Sequence, residues 1–271
     1  MPVSSNGLRY KLTRPEIPNT LSPAESAPTM VFLHGLGSSQ ADWVFQLSHF
    51  ENNYPCLSVD LPSHGHSTID PDFSLPRCAG ALDVLLKETG IKRPVLVGVS
   101  MGGMIAQEYA ATYPDNVHSL VVINALAECR ARTVPERWAI FVRNIMLQWL
   151  SLDRIAKIMA KKLLPGDDKA ELRKTAQERW KANNREAYIA AFHSMFQWTA
   201  TSRLDAISQP VTLIASEFDY TPVGAKKVLS HVLPDAQLLV ANGANHLLPL
   251  EDPSLCNFLI EQHLNRHTLT Y

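Results

Sequence analysis

The sequence predicts an α/β protein, a mainly parallel β-sheet flanked by helices and carrying an inserted helical cap. Three observations lead to this expectation. Short apolar, β-branched runs alternate with helical patterns along most of the 271 residues, as in a parallel sheet covered on its faces. That alternation stops between about residues 128 and 204, where the pattern is helical only. Finally, Gly98-Val99-Ser100-Met101-Gly102 stands between a strand pattern and a helix pattern. In that context a serine occupies a tight strand-to-helix turn.

In chain order, the strands are expected near residues 8–12, 30–33, 56–59, 94–98, 119–123, 211–215 and 237–240. The β-branched apolar run Arg-Pro-Val-Leu-Val at 93–97 reads as a buried strand. Helices are expected near 41–50, 76–89, 103–113, 223–233 and 254–264. Segment 15–28, with Pro15, Pro18, Pro23 and Pro28, reads as a loop before the main sheet. The domain reading is a core in two parts, 1–127 and 205–271, interrupted by a cap at 128–204. Helices inserted after a strand of a regular sheet fall over its carboxyl edge, where open α/β sheets bind ligands.

Within the cap segment lie four of the five tryptophans, together with Met146, Met159 and Met195. Two readings stay open for them: lining an apolar pocket, or gluing the cap helices to the body. Residues 128–205 also carry 15 Lys/Arg against 9 Asp/Glu, a net of +6, which leaves −7 for the rest. A basic lid would steer anionic substrates; a solvated helix face rich in Lys161, Lys162, Lys169, Arg173 and Lys174 has the same composition.

Composition excludes several classes. Hydrophobic residues make up 46% and charged residues 19%, with a net charge of −1, so nothing overall points to nucleic acid. No apolar run of 18 or more residues suggests a membrane span. The opening Met1-Pro2-Val3-Ser4-Ser5-Asn6-Gly7 lacks the segments of a secretory signal. Cys56, Cys78, Cys129 and Cys256 are scattered without a Cys-x-x-Cys pair, so neither a disulfide framework nor a zinc site is expected. The expected address is a reducing cytoplasm, and no cofactor is implied.

A serine hydroxyl needs an adjacent base to become a nucleophile. Of the ten histidines, His246 follows the last strand, in a loop at the same sheet edge as Ser100. His49, His118, His231, His263 and His267 fall on helices or termini away from that edge. An imidazole base needs a carboxylate to fix its tautomer. Asp219, in the loop after strand 211–215, is the choice, with Glu217 the minor candidate. The two N–H donors of an oxyanion hole are assigned to Met101, directly after the serine, and Leu36, in the His34-Gly35-Leu36-Gly37 loop. His34 reads as a brace for that loop. His64 and His66 make a poor metal pair at i, i+2; a turn held by Asp60 is the better reading.

Together these motifs resemble the α/β-hydrolase superfamily, in particular its small carboxylesterases and enol-lactonases with helical caps. The match rests on His-Gly-x-Gly at 34–37, Asp-x-x-x-His-Gly-x-Ser at 60–67, Gly-x-Ser-Met-Gly-Gly at 98–103, the Asp219 loop ending in Pro222, and His246. The order Ser, Asp, His is that of this fold. Departures occur at Pro62-Ser63, where Arg-Gly is common, and at Asn245, where Gly is common. A serine nucleophile argues against haloalkane dehalogenases and most epoxide hydrolases. The oxyanion loops Gly-Gly-Gly of some lipases and Gly-Pro-Gly of C–C cleaving relatives are absent. The resemblance implies hydrolysis of a carboxylic ester or lactone through an acyl-enzyme, and the aromatic-rich cap segment suggests a small or medium apolar acyl group. Thioester or C–C bond hydrolysis by the same triad is the alternative, and a non-catalytic ligand receptor on this fold is a third reading.

Overall fold

A computed structural model describes residues 1–15, 27–131 and 133–268. Most of the expected proline-rich loop, 16–26, lies outside the described residues. One sheet holds β1 (Tyr10–Thr13), β2 (Met30–Leu33), β3 (Cys56–Val59), β4 (Val95–Val99), β5 (Ser119–Ile123), β6 (Val211–Ser216) and β7 (Ala236–Ala241). Its order is β1-β3-β2-β4-β5-β6-β7. Only the β1–β3 pair is antiparallel; the other neighbours run parallel. The first strand starts later than the expected 8–12 because its ladder is set by β3, with Tyr10 opposite Val59 and Thr13 opposite Cys56. Arg9 bridges to Val3 instead.

Alternate residues of each strand serve opposite faces of the sheet. Val31 and Leu33 of β2, Leu96 of β4 and Leu120 and Val122 of β5 join one core. That core is closed by α2 (Leu75–Glu88) and α3 (Met101–Thr112). Met30 and Phe32, Val95 and Val97, and Val121 and Ile123 join the other. It is closed by α1 (Val44–Phe50) and α10 (Pro253–Thr268). The helix expected from residue 41 opens as a 3-10 turn, Gln40–Trp43, with Ser39 capping it. His263 on α10 is buried and bridges the strands, contacting Thr212 Oγ1 at 2.7 Å and Ser119 Oγ at 2.8 Å.

Between β5 and β6 run α4 (Val134–Trp149), α5 (Leu152–Leu163), α6 (Ala170–Lys181) and α7 (Arg185–Gln197). Thr133 and Glu136 form a capping box at the start of α4, and Ser151 and Asn184 cap α5 and α7. The segment is tied to the sheet's loops by polar contacts. Asn183 donates to Gly37 O at 2.6 Å, Arg179 pairs with Asp42, and Lys169 pairs with Glu251. Trp198 Nε1 donates to the Glu108 carboxylate at 2.7 Å and Trp180 is buried with Ala156, Ala160 and Leu164. Those two indoles glue helices, whereas Trp138 and Trp149 are 64% and 74% exposed. Aromatic count alone misses this because α4 turns much of its apolar side outward. The later helices are α8 (Val223–Val232) and the short α9 (Leu248–Glu251). No helix among the described residues is long and apolar enough to cross a membrane.

The closest backbone approach in the fold sits beneath α3. A Cβ on Gly102 would lie 2.1 Å from Leu33 O, and one on Gly98 would lie 2.4 Å from Gly102 O. Neither backbone can yield without separating helix from sheet. Gly102→Ala is therefore expected to destabilise the fold by about 3 kcal/mol or more, read as a lower urea midpoint at an unchanged slope. A midpoint within error of the parent would refute the packing argument.

Candidate active site

Ser100 joins β4 to α3 with φ 54° and ψ −120°, a conformation that L side chains rarely adopt. Such a residue carries on the order of 1–3 kcal/mol of strain. Its neighbours hold it there: its N–H donates to Ile123 O at 2.9 Å, and its carbonyl accepts from Met104 N at 3.1 Å. The turn places the hydroxyl at the carboxyl edge of the sheet, against the amino end of α3. Gly35 lies beside it, since a Cβ there would be 3.5 Å from Ser100 Cβ.

Two further loops converge on the same edge. The loop after β6 carries Asp219 and the loop after β7 carries His246, whose Nδ1–H donates to Asp219 Oδ1 at 2.7 Å. The Asp219 side chain is fully buried and shares its second oxygen with Lys226 Nζ, 2.5 Å away and itself buried. Burial by itself would raise the Asp219 carboxyl, but His246 and Lys226 outweigh it and hold the group at about 2. Glu217 turns elsewhere and accepts the Gly243 N–H at 2.8 Å. Asn124, with φ 50°, straps the loops together. Its Nδ2 donates to Ser216 Oγ and His246 O, and its Oδ1 accepts from Ser216 N.

With Nδ1–H committed to a carboxylate, Nε2 of His246 presents a lone pair. The Tyr220 hydroxyl donates to it at 3.3 Å, and Ser100 acts on the same phenol. The Tyr220 ring stacks on the imidazole with centroids 4.4 Å apart. Burial of its hydroxyl end, and then the nearby Asp219 charge, push this phenol well above its ordinary value, so it stays protonated. His246 and Asp219 are thus joined directly, and the Tyr220 hydroxyl caps the other imidazole nitrogen.

The loop after β2 completes the edge. Among the described residues, neither the Leu36 nor the Met101 backbone N–H donates a hydrogen bond within the chain. The Met101 N–H belongs to the first turn of α3, where the helix dipole favours negative charge. His34 braces this loop: Nδ1–H donates to Gly35 O at 2.8 Å, and Nε2 accepts from Leu61 N at 3.0 Å. Asp60 holds its own turn by accepting from Gln40 N and His66 N. His64 Nδ1–H is spent on Pro62 O, and no set of three or more metal-ligating side chains is found among the described residues. Asn245 contacts Glu251 through both backbone and side chain, anchoring the His246 loop.

The sheet order, the elbow geometry of Ser100 and the Asp219–His246 pair define a class. The chain belongs to the alpha/beta hydrolase fold family, whose model matches residues 28–253. Among curated proteins it is 27% identical over 253 residues to an Escherichia coli protein named "Putative carbamate hydrolase RutD", covering 88% of this chain and 90% of that one. Among solved structures it is similar to an enol-lactonase from Burkholderia xenovorans LB400, with a TM-score of 0.83 at 18% identity and 95% and 96% of the two chains covered. An esterase from Thermogutta terrifontis gives 0.81 at 22% identity, covering 96% and 94%. At these identities the structures share the fold.

Proposed function

We propose that this protein is a serine hydrolase that cleaves a carboxylic ester or lactone through Ser100, His246 and Asp219, by way of an acyl-enzyme. The observation that carries the reading is the His246–Asp219 hydrogen bond of 2.7 Å. It leaves the other imidazole nitrogen facing the Tyr220 hydroxyl at 3.3 Å. In this reading residues 128–204 are a cap over a core made of 1–127 and 205–271, the enzyme acts in the cytoplasm, and it needs no cofactor.

Substrate entry displaces the Tyr220 hydroxyl from His246, and Nε2 then takes the Ser100 proton as Oγ attacks the carbonyl carbon. The oxyanion rests on the N–H groups of Leu36 and Met101. His246 passes the proton to the departing alkoxide oxygen, which leaves as an alcohol. Water, deprotonated by the same nitrogen, attacks the acyl carbon and frees the acid and Ser100. Asp219 stays ionised throughout, holding the tautomer and stabilising the imidazolium. Family membership, relatives named for carbamate hydrolysis and structural neighbours named enol-lactonase and esterase support attack on a carbonyl.

The test is hydrolysis of p-nitrophenyl esters of graded acyl length beside a matched thioester and carbamate. Saturable turnover of the oxygen esters, with an optimum in acyl length, is the expected result. Turnover confined to the thioester or carbamate would replace the substrate class, and no turnover of any acyl substrate would overturn the reading.

A further inference from the structure

Helix α4 keeps Leu147 as its one buried residue, yet Arg143 turns inward from it. The Arg143 guanidinium carbon sits 5.9 Å from the Tyr188 ring centroid and 5.8 Å from that of Phe192. Its Nη2 donates to the Tyr188 hydroxyl at 2.5 Å. Its Nη1 is shut off from solvent and has no acceptor. Among the described residues no carboxylate pairs with Arg143, although other part-buried cations of the segment have oxygen partners. Arg179 has Asp42, Lys169 has Glu251, Arg203 has Glu108, and Arg185 donates to the carbonyls of Leu147 and Gln148. A half-buried guanidinium whose enclosed Nη1 meets only a neutral phenol and two rings carries a charge with no carboxylate partner among the described residues, which an incoming anion would complete.

Its position is at the site. Tyr188 lies on the oxyanion loop, where a Cβ on Gly37 would come within 2.6 Å of its ring. Trp180, whose indole N–H is also buried without an acceptor, flanks the same position at 3.8 Å. Arg143 is within electrostatic range of the Tyr220 hydroxyl, which stands 3.3 Å from His246 Nε2. Burial raises the Tyr188 phenol against the opposing pull of Arg143, so its O–H remains a donor.

We infer that Arg143 and the Tyr188 hydroxyl form an anion subsite, and that the preferred substrate carries a free carboxylate in addition to its scissile acyl group. This rests on the hydrolase reading above and sharpens it from an apolar ester to a half-ester or a carboxylated lactone. A guanidinium suits the role because its planar fork matches a carboxylate. Opening Nη1 to the incoming anion requires a shift of α4, whose one buried residue is Leu147.

Ethyl half-esters of four- to six-carbon dicarboxylic acids, compared with length-matched neutral ethyl esters by proton release, measure this as a ratio of kcat/KM values. The parent enzyme is expected to favour the half-ester by about tenfold or more, the scale of a charge-assisted hydrogen bond. Arg143→Gln brings the ratio close to one, and Arg143→Lys, which keeps the charge and loses the fork, falls between. A parent ratio near one, or a ratio unchanged in Arg143→Gln, overturns the subsite. Calorimetric titration with glutarate decides the same point without turnover. Binding at least about tenfold weaker in Arg143→Gln supports the subsite, and equal affinity for the two proteins, or no binding to the parent, refutes it. A failed hydrolase reading therefore leaves the subsite independently decided.

Discussion

Ser100→Ala is expected to lower ester turnover by on the order of 10⁴-fold or more in kcat, with the fold intact. In the proposed mechanism the size follows from what remains when a triad serine is lost: substrate binding and two oxyanion donors, which keep only about 10³–10⁴-fold acceleration over the uncatalysed rate. Stability should change by no more than about 1 kcal/mol. Alanine keeps the Cβ that strains the φ 54° turn, and both backbone hydrogen bonds of residue 100 survive the change. What the side chain loses is its interaction with the nearby Tyr220 phenol. Paired measurements of p-nitrophenyl ester turnover and urea unfolding check both halves. Turnover that survives in a folded variant would place the nucleophile elsewhere; lost turnover with a large stability loss would mean that the variant tests folding, not chemistry.

Acid is expected to unfold the protein well above the pH at which its central carboxylate titrates. Burial, the largest cause in each case, lowers His34 to about 4 and His64 and His263 to about 3. All three are neutral in the folded state, whereas their unfolded forms take up protons near pH 6.5. Below that value the unfolded chain binds more protons, so stability falls as pH drops. Each histidine costs roughly 3 kcal/mol by pH 4, and together they approach the total stability of a typical domain. Asp219 acts in a lower window. Its depressed carboxyl contributes stability above its unfolded value of 3.8 that is lost only as pH falls through about 2. Urea midpoints between pH 7.5 and 4 should fall continuously from about pH 6.5. A flat profile from 7 to 5 would show that these imidazoles protonate without unfolding.

Most of the sheet was legible because a parallel strand buried on both faces is a run of apolar residues whatever its neighbours are. Residues 30–33, 56–59 and 119–123 form strands over the expected spans. The elbow and the Asp219 and His246 loops were legible for a related reason: each follows its strand directly, so chain order alone puts all three at one edge. The contacts among these side chains were not legible. Lys226 reads as an ordinary cation on an amphipathic helix, yet it is buried against Asp219. Tyr220 and Asn124 sit in loops with nothing local to set them apart, and each acts on residues of another loop.

Local pattern by itself determined the α/β class, the helical segment after β5 and the residue types able to perform acyl transfer. Those properties depend on periodicity and on spacing along one stretch of chain. Only the tertiary structure decided that Asp219, not Glu217, meets His246, that Trp138 and Trp149 face solvent, and that Arg143 has Tyr188 and no carboxylate as its partner among the described residues. These outcomes depend on which way a side chain turns and what a distant segment brings to it. That is set by packing between elements far apart in sequence, which no window of the chain contains.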